Sequence, residues 1–512
     1  MICRARYGRL TALCTLAIFS GCARVVTDGE GGTTGDFLDT GRTLSNFIAI
    51  QVDPRSEDSA GPQFSAAGDL NGDGLVDVVS AWNQSQPLQI HLQRRSQSGT
   101  ISFETVNIAG NIPVVTVAGL AIADFNRDNR PDIAVLVKHS LLPGAGCLSG
   151  DPPEDGLAGA IVLYLGPGDG RLANQSLAWE EVMIGTSFLS GLGSADGAPE
   201  EGGYTSMAVG DINADGNMDI VAAWNGACGD NNVLLFTNQG PGQVRDGTWR
   251  IDALPDTIDN QTIKDVALAD IDGDGDLDVI MTRPPARSMN IRWLRNPTLD
   301  RLDDFHISNG QWQVGTVGQI DTNADIIRLG DVDLDGIVDV VVRSKAGGLI
   351  QWLKGPAGPT TLPVRNIPWQ VFTLAEFTQR TPDALAVGDL DGGGRIEVIV
   401  SAAGGIVRFD AGSGDRVYDQ WTETLIIDEL PGPVSAQAAA PAAAPPLDPN
   451  APPAATPAPA ATPPADGATV INSIIVVDLD GDGLNDLIAP LDRTSLSGLT
   501  NDALVWFRNI AP

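Results

Sequence analysis

The sequence predicts an all-β fold: a seven-bladed β-propeller of four-stranded blades, closed by an N-terminal strand that completes the last blade. Three observations predict it. A nine-residue aspartate-rich phrase recurs seven times, beginning at Asp69, Asp124, Asp211, Asp270, Asp331, Asp389 and Asp478. Each copy lies between two short apolar runs with a third run downstream, so each unit reads as strands joined by tight turns. The two ends of the chain supply complementary parts of one unit.

The copies are spaced by 55, 87, 59, 61, 58 and 89 residues, a unit just under sixty with two enlarged intervals. Repetition at a fixed period governs the architecture of this 512-residue chain before length does. Strand-like runs precede the loops, as at 266–269 and 474–477, and follow them at 76–81, 133–137, 220–223, 279–282, 338–342, 398–400 and 487–489. A third strand reads from 88–92, 161–165, 233–236, 291–294, 349–353, 406–409 and 504–507. A fourth is expected at 102–108, 249–253, 305–308 and 422–427. Four-stranded units repeated radially make a propeller. The seventh unit ends after its third strand, and an unassigned strand at 47–52 precedes the first loop, so that strand is expected to close the ring and cover its open edge.

Within the loops, carboxylates alternate around a glycine. In Asp270-Ile-Asp-Gly-Asp-Gly-Asp-Leu-Asp278, side-chain oxygens at positions 1, 3, 5 and 9 and a backbone carbonyl at 7 can wrap a hard cation. Asp270, Asp272, Asp274 and Asp278 are the expected ligands, with the Asp276 carbonyl, while Gly275 takes the sharp turn. An EF-hand is excluded, because position 12 is Ser80, Val135, Ala222, Met281, Val342, Val400 or Ala489 and strands flank the loop. The first loop offers Asp69, Asn71, Asp73, the Leu75 carbonyl and Asp77; the third offers Asp211, Asn213, Asp215, the Asn217 carbonyl and Asp219. The second offers Asp124, Asn126, Asp128, the Arg130 carbonyl and Asp132, with Asn129 at the turn, a residue type that tolerates positive φ. The fifth has Asp331, Asp333, Asp335, the Ile337 carbonyl and Asp339; the seventh has Asp478, Asp480, Asp482, the Leu484 carbonyl and Asp486. In the sixth, Asp389 and Asp391 are followed by Gly393 at position 5, Arg395, and Glu397 at position 9, so this site is expected to be weak or empty.

Recurring seven times, these loops resemble the FG-GAP/VCBS repeat family, which includes the calcium-binding blades of integrin α-subunits. The resemblance covers residues 46–511. It implies a propeller with its calcium loops on one face, serving adhesion or ligand binding, and implies no single activity.

Composition agrees with a globular chain. Hydrophobic residues make up 43%, and 59 glycines with 34 prolines mark many turns. The formal charge is −34, which excludes nucleic acid as a partner. The loops hold 25 of the 65 acidic residues, and these would repel one another unless cations sit among them. Calcium is the expected cofactor, with about six good sites.

Residues 1–21 read as a lipoprotein signal peptide: Arg4, Arg6 and Arg9, an apolar run at 10–19, then Phe19-Ser-Gly-Cys22. The last four resemble a lipobox, which implies lipidation at Cys22 and a membrane-anchored bacterial lipoprotein in the periplasm or at the cell surface. Residues 22–45 read as a flexible tether and 46–512 as the propeller.

Long insertions at 139–159, 185–205 and 431–468 are expected on the rim opposite the aspartate loops, where they suggest a recognition surface for a protein or polysaccharide. The last is mostly alanine, proline and threonine and cannot build a core. Cys147 and Cys228 fall on neighbouring blades of that rim and are expected to pair, two free thiols being the alternative. Short catalytic motifs are missing: no GxSxG, P-loop, HExxH or CxxCH occurs. The three histidines, His91, His139 and His306, map to different blades. A non-enzymatic, calcium-stabilised binding or adhesion module of the cell envelope is therefore the first reading. An extracytoplasmic carbohydrate-active enzyme of lyase or dehydratase type is the alternative.

Overall fold

The computed structural model describes residues 46–53, 62–82, 88–108, 110, 114–140, 158–184, 203–225, 232–254, 262–283, 290–297, 312–318, 320, 322–356, 369–378, 381–402, 405–412, 418, 421–427, 469–493 and 503–511. They form seven antiparallel sheets, and in six of them neighbours in sequence are neighbours in space. Blade 1 runs Pro62–Gly68, Asp77–Trp82, Leu88–Arg95 and Ile101–Ile108. In the same order, blade 2 is Val114–Ala123, Asp132–Ser140, Ala158–Leu165 and Glu180–Ile184. Blade 3 is Gly203–Gly210, Asp219–Asn225, Asn232–Thr237 and Arg250–Ala253. Blade 4 is Val266–Ala269, Asp278–Thr282, Ile291–Arg295 and Gln313–Gly318. Blade 5 is Ile326–Gly330, Asp339–Ser344, Leu349–Lys354 and Gln370–Glu376. Blade 6 is Pro382–Gly388, Glu397–Ala402, Gly405–Ala411 and Trp421–Ile427.

Blade 7 closes the ring as the chain ends require. Its inner edge is split into Thr469–Ile471 and Ile475–Val477, both paired with Asp486–Arg493, which pairs with Ala503–Asn509. The outermost strand is N-terminal: Phe47–Gln51 lies antiparallel to Ala503–Asn509, from Phe47 opposite Asn509 to Gln51 opposite Val505. Ile510 N–H donates to the Asn46 carbonyl at 2.7 Å, and the Asp53 carboxylate accepts from Leu504 N–H at 2.9 Å. The strand thus satisfies backbone groups that an open edge would leave bare.

Seven apolar clusters hold the blades together, one at each interface between neighbours. Between blades 4 and 5, for example, Ile280, Trp293 and Val317 pack with Ile327, Val340 and Leu353; Val78 of blade 1 meets Leu479, Ile488 and Trp506 of blade 7 across the closure. Each fully buried Leu, Ile or Val contributes roughly 1.5–3 kcal/mol, and no blade can bury its faces without both neighbours. Second strands are covered on both sides and read as continuous buried runs, as in Asp339–Ser344. Fourth strands are half-exposed; in Gln370–Glu376 no residue is fully buried.

One strand differs from expectation. The fourth strand of blade 4 is Gln313–Gly318, paired with Ile291–Arg295, whereas the run 305–308 lies outside the described residues. Cys22, Cys147, Cys228 and the insertion 431–468 also lie outside them.

Candidate metal loops

Each aspartate phrase joins the first strand of a blade to the second, and its backbone closes the same way in all seven. Position 6 is left-handed throughout: Gly74, Asn129, Gly216, Gly275, Gly336, Gly394 and Gly483 have φ between 61° and 96°. Asparagine at 129 takes the turn that glycine takes elsewhere. Position 4 is left-handed too, a constraint not read from the sequence, and three loops impose it on residues with a Cβ: Arg127, Ala214 and Leu334. That conformation costs about 1–2 kcal/mol for an L-residue. The position-1 carboxylate offsets it. Asp331 accepts N–H bonds from Asp335 (3.0 Å) and Gly336 (2.9 Å), and the equivalent pair is made in every loop.

Position 9 fastens the loop to the sheet. One carboxylate oxygen of Asp77, Asp132, Asp219, Asp278, Asp339, Glu397 and Asp486 accepts the N–H of position 2. In six blades the other oxygen accepts an N–H where the third strand ends, from Gln93, Gly166, Asn238, Asn296, Gly355 or Asn509. The six aspartates are fully buried. Burial pushes Asp77, Asp132 and Asp219 up to about 7, Asp278 to about 8, and Asp339 and Asp486 to about 6, with neighbouring carboxylates adding to the rise and the accepted N–H bonds opposing it. Glu397 rises to about 7 for the same first cause. An ionised group in such a place calls for a cation.

Positions 1, 3 and 9 converge in four loops. Oxygens of Asp270, Asp272 and Asp278 lie within 4.8 Å of one another, as do those of Asp331, Asp333 and Asp339, of Asp389, Asp391 and Glu397, and of Asp478, Asp480 and Asp486. In the first three loops position 3 is an asparagine whose oxygen accepts the N–H of position 5. Position 5 carboxylates (Asp73, Asp128, Asp215, Asp274, Asp335, Asp482) each accept the N–H of position 7, and so point their Oδ1 at their own turn. The donor set fits calcium, an all-oxygen carboxylate-rich loop with a left-handed hinge. A direct sign of the fit is that Asp272 Oδ1 and Asp333 Oδ1 are buried and accept no hydrogen bond from the described residues.

Two sets of residues at these loops escaped the sequence reading. The first is a side-chain amide at the end of the third strand, which reaches the position-2 carbonyl of the preceding loop around the ring. Gln93 reaches Leu479 (2.7 Å), Asn238 reaches Phe125 (2.8 Å), Asn296 reaches Ile212 (2.7 Å) and Asn509 reaches Leu390 (2.6 Å). The second is basic: Arg295, Lys354 and Arg508 pair with carboxylates of their own loops. Their signal is Trp-x-Arg/Lys at 293–295, 352–354 and 506–508.

A model of the FG-GAP-like repeat matches residues 69–135 and 211–281, which span loops 1 and 2 and loop 3 to loop 4. The chain is a seven-bladed β-propeller that carries FG-GAP-like repeats. Solved structures similar to this FG-GAP propeller include BBS1N in complex with ARL6DN, soaked with lead: 11% identity, TM-score 0.46, covering 92% of this chain and 100% of that one. The same complex soaked with mercury matches at 12% identity and TM-score 0.47, with the same coverage. An Agrocybe aegerita lectin, described as recognising non-reducing terminal N-acetylglucosamine, matches at 14% identity and TM-score 0.40 over 73% of this chain and 82% of its own. No curated protein sequence matches the chain.

Of the histidines, His91 is fully buried, between Ser80 (2.8 Å) and Thr105 (3.0 Å), and burial lowers it to about 3. It is a neutral member of a satisfied blade-1 network that includes Trp82 Nε1–H donating to Ser80. The side chain of His139 and the whole of His306 lie outside the described residues. Trp82, Trp293, Trp352 and Trp506 are fully buried packing residues, as their recurrence on blade strands leads one to expect.

Proposed function

We propose that the protein is a calcium-stabilised binding module displayed on the cell envelope, acting by holding a ligand rather than by chemistry. The fold supports a binding or adhesion-type module in general. The observation that carries calcium is the set of buried position-9 carboxylates, grouped in four loops with those of positions 1 and 3 and lifted by burial well above the usual carboxylate range. Asp69, Asp124, Asp211, Asp270, Asp331 and Asp478, with their partners at positions 3, 5 and 9, would hold the ions. Bound calcium supplies the positive charge that lets these groups stay ionised out of water. At a Kd of about 0.1 mM and about 1 mM calcium, each site contributes about 1.4 kcal/mol, and six contribute about 8 kcal/mol. The sixth loop, without an acid at position 5, is the weak one.

Display rests on the N-terminal pattern: a basic start, a short apolar run and Cys22 as the lipid attachment point. The ligand, a protein or polysaccharide, would meet the rim opposite the metal loops, the side on which the sequence leads one to expect the long insertions. Nucleic acid does not suit a chain of formal charge −34.

Thermal melting of the purified propeller with and without a calcium-selective chelator, followed by back-addition of calcium, tests the central claim. A fall on chelation that calcium restores is expected; an unchanged melting temperature refutes it.

A further inference from the structure

We propose that Arg295, Lys354 and Arg508 are positioning residues that hold the carboxylates of loops 4, 5 and 7 from behind, making these the tight calcium sites of the ring. The proposal rests on the calcium reading above and goes beyond it by ranking the sites and naming what ranks them.

The three residues occupy one register. Each follows the third-strand residue paired with loop position 10: Leu294 with Val279, Leu353 with Val340, and Phe507 with Leu487. Each also precedes the residue whose N–H donates to position 9. Two residues earlier stands Trp293, Trp352 or Trp506, fully buried, and the period of a strand puts indole and cation on one face. Arg508 lies with its guanidinium 6.0 Å from the Trp506 ring centroid. Strand register, not a flexible surface reach, therefore delivers the cation to the loop.

What it meets there is the same in all three blades. Arg295 pairs with Oδ2 of Asp272 and, at 2.8 Å, with Oδ2 of Asp274. Lys354 pairs with Oδ2 of Asp333 and Oδ2 of Asp335. Arg508 pairs with Oδ2 of Asp480 and approaches Oδ2 of Asp482 at 3.7 Å. The cation thus engages one oxygen of position 3 and one of position 5, whose other oxygen accepts the N–H of position 7. Among the described residues, none of the three cations pairs with position 1 or 9. In loops 4 and 5 the remaining position-3 oxygen, Oδ1, is buried without a hydrogen bond, on a carboxylate grouped with positions 1 and 9. A basic group that competed for the metal's place would engage that oxygen; one that positions the carboxylate leaves it bare.

The other blades lack the device. At the same register stand Leu92, Leu165 and Thr237 in blades 1 to 3, and in blade 6 an acid, Asp410, beside a loop already short of a carboxylate. Arg94 in blade 1 reaches only position 5, at 3.5 Å from Asp73. Groups behind metal ligands change affinity about 10–100-fold when removed, because the ligand must then be ordered on binding.

Calcium titration of the full propeller against a chromophoric chelator reads the affinities. In Lys354→Met one site is expected to weaken at least about tenfold. The triple change with Arg295→Met and Arg508→Met should weaken three. Lys354→Arg should retain wild-type affinity, since arginine fills the same register in blades 4 and 7; packing alone would not require the charge. Circular dichroism checks that each variant is folded, and the arginine exchange gives a readout if a methionine variant is not. Wild-type binding with unchanged or tighter affinity in the methionine variants overturns this proposal and leaves the calcium reading standing. Absence of calcium binding in the wild type overturns both.

Discussion

Loops 5 and 6 sit on adjacent blades, have one backbone shape and carry different charges. In loop 5, Asp331 accepts the N–H groups of positions 5 and 6 and Asp339 fastens position 2 to the sheet; in loop 6, Asp389 and Glu397 do the same at 3.1, 2.8 and 2.6 Å. Loop 5 adds Asp335, Lys354 and the Tyr418 hydroxyl, which donates to Asp333 at 3.0 Å. Loop 6 has Gly393 and Asp410 at the positions of Asp335 and Lys354. The turn therefore forms without a carboxylate at position 5. Shape belongs to positions 1, 6 and 9, and the further acids of loop 5 serve something other than shape.

The largest effect expected from this division is on pH, because the costly group is shared by both loops. A position-9 acid whose folded pKa is raised holds a proton in the native state that the unfolded chain has released. Metal-free protein should therefore gain stability as pH falls through about 8 to 6, where Asp278, Asp77, Asp132, Asp219, Asp339 and Asp486 titrate, down to the ordinary carboxylate range near 4. Discounted for relaxation around the buried groups, the gain between pH 8 and 5 is on the order of 5 kcal/mol. His91 acts the other way: its pKa is lowered to about 3, so its contribution is present above about 6.5 and drains away as pH falls toward 3. Melting of metal-stripped protein at pH 8, 7, 6 and 5 should rise toward acid, and in excess calcium the rise should vanish. A flat metal-free profile would show that the buried carboxylates already have compensating cations.

The second effect separates shape from charge inside loop 5. Asp339→Ala leaves the N–H groups of Val332 and Gly355 buried without acceptors and should cost about 3 kcal/mol in chelator, with the lost metal site adding to that in calcium. Asp335→Ala removes an acceptor for the half-exposed end of the turn and a partner of Lys354, and should cost under about 1 kcal/mol without calcium while losing one metal site. Urea unfolding of both variants in chelator and in calcium makes the contrast. Equal losses in chelator would break the division.

How much of this was legible in the sequence follows from where each residue sits. Second and third strands lie between two blades, so their apolar runs are long and unbroken, and every one was placed. Fourth strands are half in water, and their pattern is diluted. Glu180–Ile184 and Gln370–Glu376 were not foreseen, and Gln313-Val-Gly-Thr-Val-Gly318, with its two valines on opposite faces and glycine at 315 and 318, presents no apolar face to read. The aspartate loops were legible because ligand spacing is local. Gln93, Asn238, Asn296 and Asn509 acquire meaning only once the ring brings them beside a loop far off in sequence, and Arg295, Lys354 and Arg508 only once strand pairing sets them beside their own loops. The left-handed residue at position 4 was hidden for another reason: Arg127, Ala214 and Leu334 are residue types that do not announce that conformation.

The smallest effect is a conversion. Gly393→Asp gives loop 6 the acid that loop 5 has, and its Cβ would meet Asp391 Oδ1 at 2.6 Å, so the Asp391 side chain must turn. That oxygen now accepts the Gly393 N–H at 2.8 Å, a bond the turn can lose because Asp389 also holds that N–H. Equilibrium dialysis should count one more calcium per chain, with a gain of about 1.4 kcal/mol when calcium is tenfold above the new Kd. Adding Asp410→Lys supplies the missing cation behind the site and should tighten it further. If Gly393→Asp stabilises the protein equally in chelator, position 5 contributes to shape after all, and the difference between these neighbouring loops is one of packing rather than of metal.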